Sequence, residues 1–120
     1  MISGMFEDLH DLRALEYYII LLDLYAPLLT DRQQEVACLF FEEDLSLSEI
    51  AEKMDISRQG VSDHLRRATQ TLENLEKALG CLRRESDLKR EILRLAESSS
   101  DASSSAALRE LADRLKFWKE

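Results

Sequence analysis

Residues 57 to 70 hold side chains of the right type and spacing to touch a base edge or a phosphate. Gln59, Ser62, Asp63, Arg66 and Gln70 recur at intervals of three and four, so a helix would place them on one face. Glutamine matches the donor and acceptor of adenine, arginine the paired acceptors of guanine, and aspartate can accept from the amino group of cytosine. Ser57, Arg58 and Arg67 flank this face and suit phosphate contact, which sets register without reading sequence. Asp63 is the discordant member, because a carboxylate repels phosphate. It either accepts from cytosine or pairs with Arg66 or Arg67. A solvated helix face with internal ion pairs would use the same residue types, so the surrounding elements must decide.

Those elements read as a helix-turn-helix over residues 46 to 67. Ser46 and Glu49 have the spacing of a capping box, and Leu47, Ile50, Ala51 and Met54 form the inward face of a short helix. Asp55 falls in the tight turn, Ile56 returns to the core, and Ser57 caps the next helix. In this motif the second helix enters the major groove while the first braces it against the backbone. Gln59, Ser62, Asp63 and Arg66 are then base-facing, and Ser57, Arg58 and Arg67 face phosphate. The second helix continues as a heptad seam through Val61, Leu65, Ala68, Leu72, Leu75, Leu79 and Leu82, longer than groove reading needs. The seam closes either against the N-terminal helix or between two subunits, and Gly80 either stops the helix or weakens it.

The rest of the chain also reads as helical, so the fold class is all-α. Three glycines and one proline in 120 residues leave few breaks. A first helix is expected over about residues 6–26, with Leu12, Leu15, Ile19, Leu22 and Ala26 in one stripe and Tyr17, Tyr18, Ile20 and Leu21 on other sides. So broad an apolar surface needs cover from its own chain or from a second subunit, and a homodimer is the expectation. Pro27 ends or bends this helix. Thr30 and Gln33 open a second capping box, and the helix that follows buries Val36, Leu39 and Phe40 before a solvated acidic connection, Glu42-Glu43-Asp44. Beyond Gly80, Leu88, Ile92 and Leu95 indicate a further helix. The domain reading is a helical helix-turn-helix domain over 1–97, a serine-rich linker over 98–105 and a C-terminal amphipathic helix over 106–120. That last helix carries Leu108, Leu111, Leu115 and Trp118 and either folds back on the core or docks elsewhere.

Charge narrows the function. The chain carries 16 basic and 24 acidic side chains, a net of -8. Residues 1–56 hold 3 bases against 13 acids and residues 57–120 hold 13 against 11, so the sign changes where the candidate reading helix begins. An acidic half weakens non-specific DNA affinity, which is mostly phosphate neutralisation, so any contact must come from a small positive face. Cys38 and Cys81 sit in apolar helical patterns without metal-type spacing and read as reduced core thiols of a cytoplasmic protein. The acidic start lacks the basic flank of a signal peptide, and the apolar run at 17–22 is too short to insert in a membrane. His10 and His64 stand apart, and there is no phosphate loop or nucleophile motif, so no enzyme, metal or cofactor is expected.

Leu28-Leu29-Thr30-Asp31-Arg32-Gln33, Asp44 to Glu52 and Ile56 to Asp63 resemble the YlxM family of small bacterial helix-turn-helix proteins, over about residues 15–80. That family's motif is similar to region 4 of sigma-70 factors, the part that reads a promoter element. The family's genes commonly adjoin those of the signal recognition particle protein and its receptor. The resemblance therefore implies a DNA-binding regulatory protein in that particle's pathway, acting on double-stranded DNA. An adaptor that contacts the particle's protein or RNA directly is the alternative. Gly60 departs from the family's usual pattern, in which a residue such as alanine stands there.

Overall fold

The computed structural model describes residues 12–115, all helices and short connections with no strand among them. Six helices follow in order: α1 Leu12–Tyr25, α2 Asp31–Ala37, α3 Leu47–Met54, α4 Arg58–Leu79, α5 Cys81–Ser98 and α6 Ala102–Asp113. They fall into two compact units divided between Ala78 and Leu79, rather than at the serine-rich stretch where composition put the boundary.

In the first unit, local chemistry sets each helix end. α1 stops at Tyr25, and Pro27 lies in a single 3-10 turn, Ala26–Leu28. Thr30 and Gln33 close one capping box, with Gln33 N–H donating to Thr30 Oγ1 at 3.2 Å and Thr30 N–H to Gln33 Oε1 at 3.2 Å. Ser46 and Glu49 close the second in the same way, at 3.1 and 3.0 Å. Glu49 lies in the first turn of α3, and its hydrogen bonds from Ser46 hold its carboxyl below the ordinary value.

α2 runs without a break into a π-helical turn, Cys38–Glu42. The wider turn moves the inward position by one residue, so Phe41 is buried and Phe40 only half-buried, where a regular helix would have buried Phe40. Phe41 stacks on Tyr18 of α1 with ring centroids 5.6 Å apart and meets Phe40 edge-on at 5.0 Å. Glu42, Glu43 and Asp44 are exposed, as a solvated connection should be.

The core of this unit is Leu21, Leu22, Val36, Ala37, Ile50, Val61, Leu65, Ala68 and Leu72, all fully buried, with Tyr25 beside them. Each leucine here contributes about 1.5–3 kcal/mol by leaving water. Much of α1 is thus covered by its own chain, while Tyr17 stays exposed. The seam on α4 is buried from Val61 to Leu72 and then emerges: Leu75 is half-buried and Leu79 is 43% exposed. It does not reach Leu82 within one helix. Gly80 sits in the left-handed region at φ 65° and ψ 29°, a conformation that costs glycine little, and ends α4 there.

The second unit is a helical hairpin of α5 and α6, with Ile92, Ala96 and Ala112 buried. The helix indicated by Leu88, Ile92 and Leu95 is present as α5, with Ile92 buried and Leu88 and Leu95 exposed. The serine-rich stretch is mostly helix. Its polar side chains cap ends instead of keeping the chain extended. Asp101 accepts from the N–H groups of Ser103 and Ser104 at 3.2 and 3.3 Å and from Ser104 Oγ at 2.6 Å. These bonds hold the Asp101 carboxyl below its ordinary value. Ser105 Oγ donates to the Ala96 carbonyl at 3.0 Å, joining the two helices. Only residues 99–101 remain as connection, and the last helix starts at Ala102 rather than at 106. Leu108 and Leu115 are half-buried, Leu111 is exposed, and Trp118 lies outside the described residues.

Candidate nucleic-acid interface

α3 and α4 are joined by three residues, and each does one job. Asp55 takes left-handed angles, φ 55° and ψ 47°, and its N–H closes the last turn of α3. A short polar side chain tolerates that region better than an apolar one would. Ile56 donates its N–H to the Ala51 carbonyl at 3.1 Å. Ser57 then caps α4, its Oγ accepting from Gly60 N–H at 2.9 Å and its carbonyl from Val61 N–H at 3.0 Å. The helix-turn-helix is therefore present with its second helix locked at the N-terminus.

With Val61, Leu65, Ala68 and Leu72 fully buried, the outward side of α4 carries Gln59, Asp63, Arg66, Arg67 and Gln70. Ser57, Arg58, Gln59, Arg67 and Gln70 are exposed, and Asp63, His64 and Arg66 are half-exposed. Ser62 departs from the expectation of a base-facing residue: it is only 6% exposed. The inward surface of α4 is wider than the seam and includes a second row, Ser62 and Thr69, seven residues apart. Thr69 Oγ1 donates to the Arg66 carbonyl at 3.0 Å.

Asp63 pairs with neither arginine. Its Oδ1 accepts from the Gln59 amide nitrogen at 3.2 Å, one helical turn away. Glutamine and aspartate four apart are a known stabilising pair on helix surfaces, so this bond was available from spacing alone. Among the described residues no acid lies within ion-pair distance of Arg58, Arg66 or Arg67, whereas Arg90, Arg94 and Arg114 in the second unit pair with Asp87, Glu91 and Glu110. The last turn of α3 adds a further exposed and unpaired cation, Lys53, which lies outside the residues singled out from the sequence.

Neither cysteine is a core residue. Cys38 is half-buried and Cys81 exposed, and both are free thiols. Burial, with Glu42, Glu43 and Asp23 nearby, pushes the Cys38 thiol up and keeps it protonated. No group of His, Cys, Asp and Glu among the described residues could hold a metal, and no described helix is long and apolar enough to cross a membrane.

An all-α chain with a capped pair of short and long helices and an arginine-bearing outer face is a helix-turn-helix protein. A model of the UPF0122 family, described as "Putative helix-turn-helix protein, YlxM / p13 like", matches residues 13–113. The chain belongs to this family. A UPF0122 protein of Caldanaerobacter subterraneus subsp. tengcongensis is 41% identical over 81 residues, covering 68% of this chain and 69% of the relative. One from Symbiobacterium thermophilum is 41% identical over 93 residues, covering 78% and 87%. One from Thermoanaerobacter sp. strain X514 is 44% identical over 72 residues, covering 60% of this chain and 62% of that relative.

Proposed function

We propose that the protein is a DNA-binding regulator that reads duplex DNA in the major groove through the first half of α4. The observation that carries this is the set of unpaired cations, Arg58, Arg66 and Arg67, on the outer side of a helix-turn-helix in a chain of net charge -8. Arg32, Arg84 and Arg109 also lack an ion pair among the described residues, so what distinguishes Arg58, Arg66 and Arg67 is their clustering on the first half of α4 beside the turn. Arg66 and Gln59 are the base readers. Arg58, Arg67, the Ser57 hydroxyl and Lys53 hold phosphate.

So few cations give weak binding per protomer, and a homodimer on two half-sites one turn of DNA apart doubles the contact. The protein works in the cytoplasm without membrane insertion or cofactor. Its place in the signal recognition particle pathway, as a regulator of the expression of the particle's components, rests on the family resemblance.

The test is selection from random-sequence duplex DNA at two salt concentrations. The expected result is an enriched, roughly palindromic site with affinity falling steeply with salt, a log–log slope of about -3 per protomer. Binding without enrichment that moderate salt abolishes overturns the reading and turns the search to the particle's protein and RNA.

A further inference from the structure

We infer that Gln59 and Asp63 act as one coupled reading unit, in which Asp63 orients the Gln59 amide and itself selects against bases that present only acceptors. This rests on the proposed DNA reading of α4 and extends it to particular bases.

The amide nitrogen of Gln59 donates to Asp63 Oδ1 at 3.2 Å, on the outer side of α4. An amide nitrogen has two hydrogens, and the bond to Asp63 uses one. One N–H and the amide oxygen remain free, and the bond fixes which lies on which side. A free donor beside a free acceptor matches adenine, whose major-groove edge offers N7 and the N6 amino group. The Asp63 carboxylate keeps acceptor capacity of its own and needs a donor, which in the next base pair means cytosine N4 or a second adenine N6. The acceptors of guanine and thymine would meet a carboxylate with nothing to give.

Asp63 is thus a positioning and specificity-determining residue. Among the described residues no cation within ion-pair distance cancels its charge, and it lowers affinity for all DNA while sharpening the choice of site.

The experiment is selection from random duplexes with the parent protein and with Asp63→Asn and Gln59→Ala, followed by binding to the parent's selected site and its single-base variants. Thermal melting of each variant first establishes that it folds. The parent is expected to select an adenine next to a cytosine or second adenine. Asp63→Asn should bind random duplex several-fold more tightly and lose about tenfold discrimination against thymine or guanine at the second position, with weakened adenine preference at the first. Gln59→Ala should lose the adenine preference while keeping the second position. A parent that selects a site, with Asp63→Asn showing the same preference at every position, overturns the coupled unit and leaves the DNA reading intact. A parent that selects no site overturns both.

Discussion

The Tyr25 phenol donates to the Glu76 carboxylate at 2.8 Å, and Tyr18, two helical turns earlier on α1, reaches Glu73 at 2.5 Å. Both acceptors lie in the second half of α4, the helix whose first half carries the open arginines. α1 therefore holds α4 from behind, through polar bonds at the edge of an apolar core. Tyr25 is 2% exposed and Glu76 is half-buried, so removing the hydroxyl takes a partly buried charged hydrogen bond from the carboxylate. Tyr25→Phe is expected to lower the unfolding free energy by about 1.5 kcal/mol and Tyr18→Phe by less than about 1, because the Tyr18 bond is exposed. Urea denaturation measures both, and a Tyr25→Phe protein as stable as the parent would remove this bond from the account.

The same cluster sets an alkaline limit. Partial desolvation of the Tyr17 hydroxyl, on an otherwise exposed ring, with Glu76 and Glu73 nearby, raises its phenol above the ordinary value of 10.0. The folded state therefore holds the Tyr17 proton more tightly than the unfolded chain does. That contribution is fully present below about pH 10 and is lost as pH climbs through the raised folded value. Cys38 acts with the same sign from about pH 9, since its thiol is also pushed up, from 9.0. Melting temperature should fall as pH rises above about 9. Tyr17→Phe should flatten the upper part of that fall and leave the lower part, which belongs to Cys38. Parallel melting curves for parent and variant across this range would show that Tyr17 stays neutral or is solvated.

What could be read in the sequence is what short-range chemistry decides. Thr30, Ser46 and Ser57 cap where their spacing to Gln33, Glu49 and Gly60 predicts, because each bond closes within three residues. The same logic, taken further, would have found Asp101, whose serines look like linker by composition yet lie in a capped helix. The misses depend on packing. Phe41 replaces Phe40 because a π turn shifts the helix phase, and no residue type in Cys38–Glu42 announces it. Ser62 turns inward because α4 is covered across more than its seam, and the heptad count could not see that width. The Leu79-to-Leu82 step looked continuous because periodicity ignores one glycine's left-handed backbone.

The open arginines divide by position. Arg66 sits two turns after Gln59 on the outer side of α4, whereas Arg58 begins the helix and Arg67 lies to one side. Arg66→Ala is expected to weaken the selected site by about 1–3 kcal/mol while leaving random duplex little changed, so the base preference relaxes. Arg58→Ala and Arg67→Ala should weaken all sequences alike and each reduce the salt slope by about 1. Titrations of specific and random duplex at three salt concentrations separate the two patterns. Equal, sequence-independent losses for all three variants would remove Arg66 as a base reader.

Gly60 is the remaining question of sequence, since the family pattern leads one to expect alanine there. A methyl on Gly60 would sit 3.2 Å from Ser57 Oγ and 3.8 Å from Ile56 Cδ1. The first contact is tight, and it falls on the hydroxyl that accepts the Gly60 N–H at 2.9 Å. Two effects of similar size then oppose. Alanine in a helix gains up to about 1 kcal/mol over glycine, and a displaced serine cap costs about the same. Gly60→Ala alone is therefore expected to change stability by less than about 0.5 kcal/mol. In a Ser57→Ala background the crowded oxygen is gone, and the same change should yield most of the propensity gain. A double-mutant cycle by urea denaturation should show about 0.5–1 kcal/mol of coupling. Additivity within about 0.3 kcal/mol would mean that the Ser57 hydroxyl moves aside freely and that glycine is not needed to keep the cap of α4 in place.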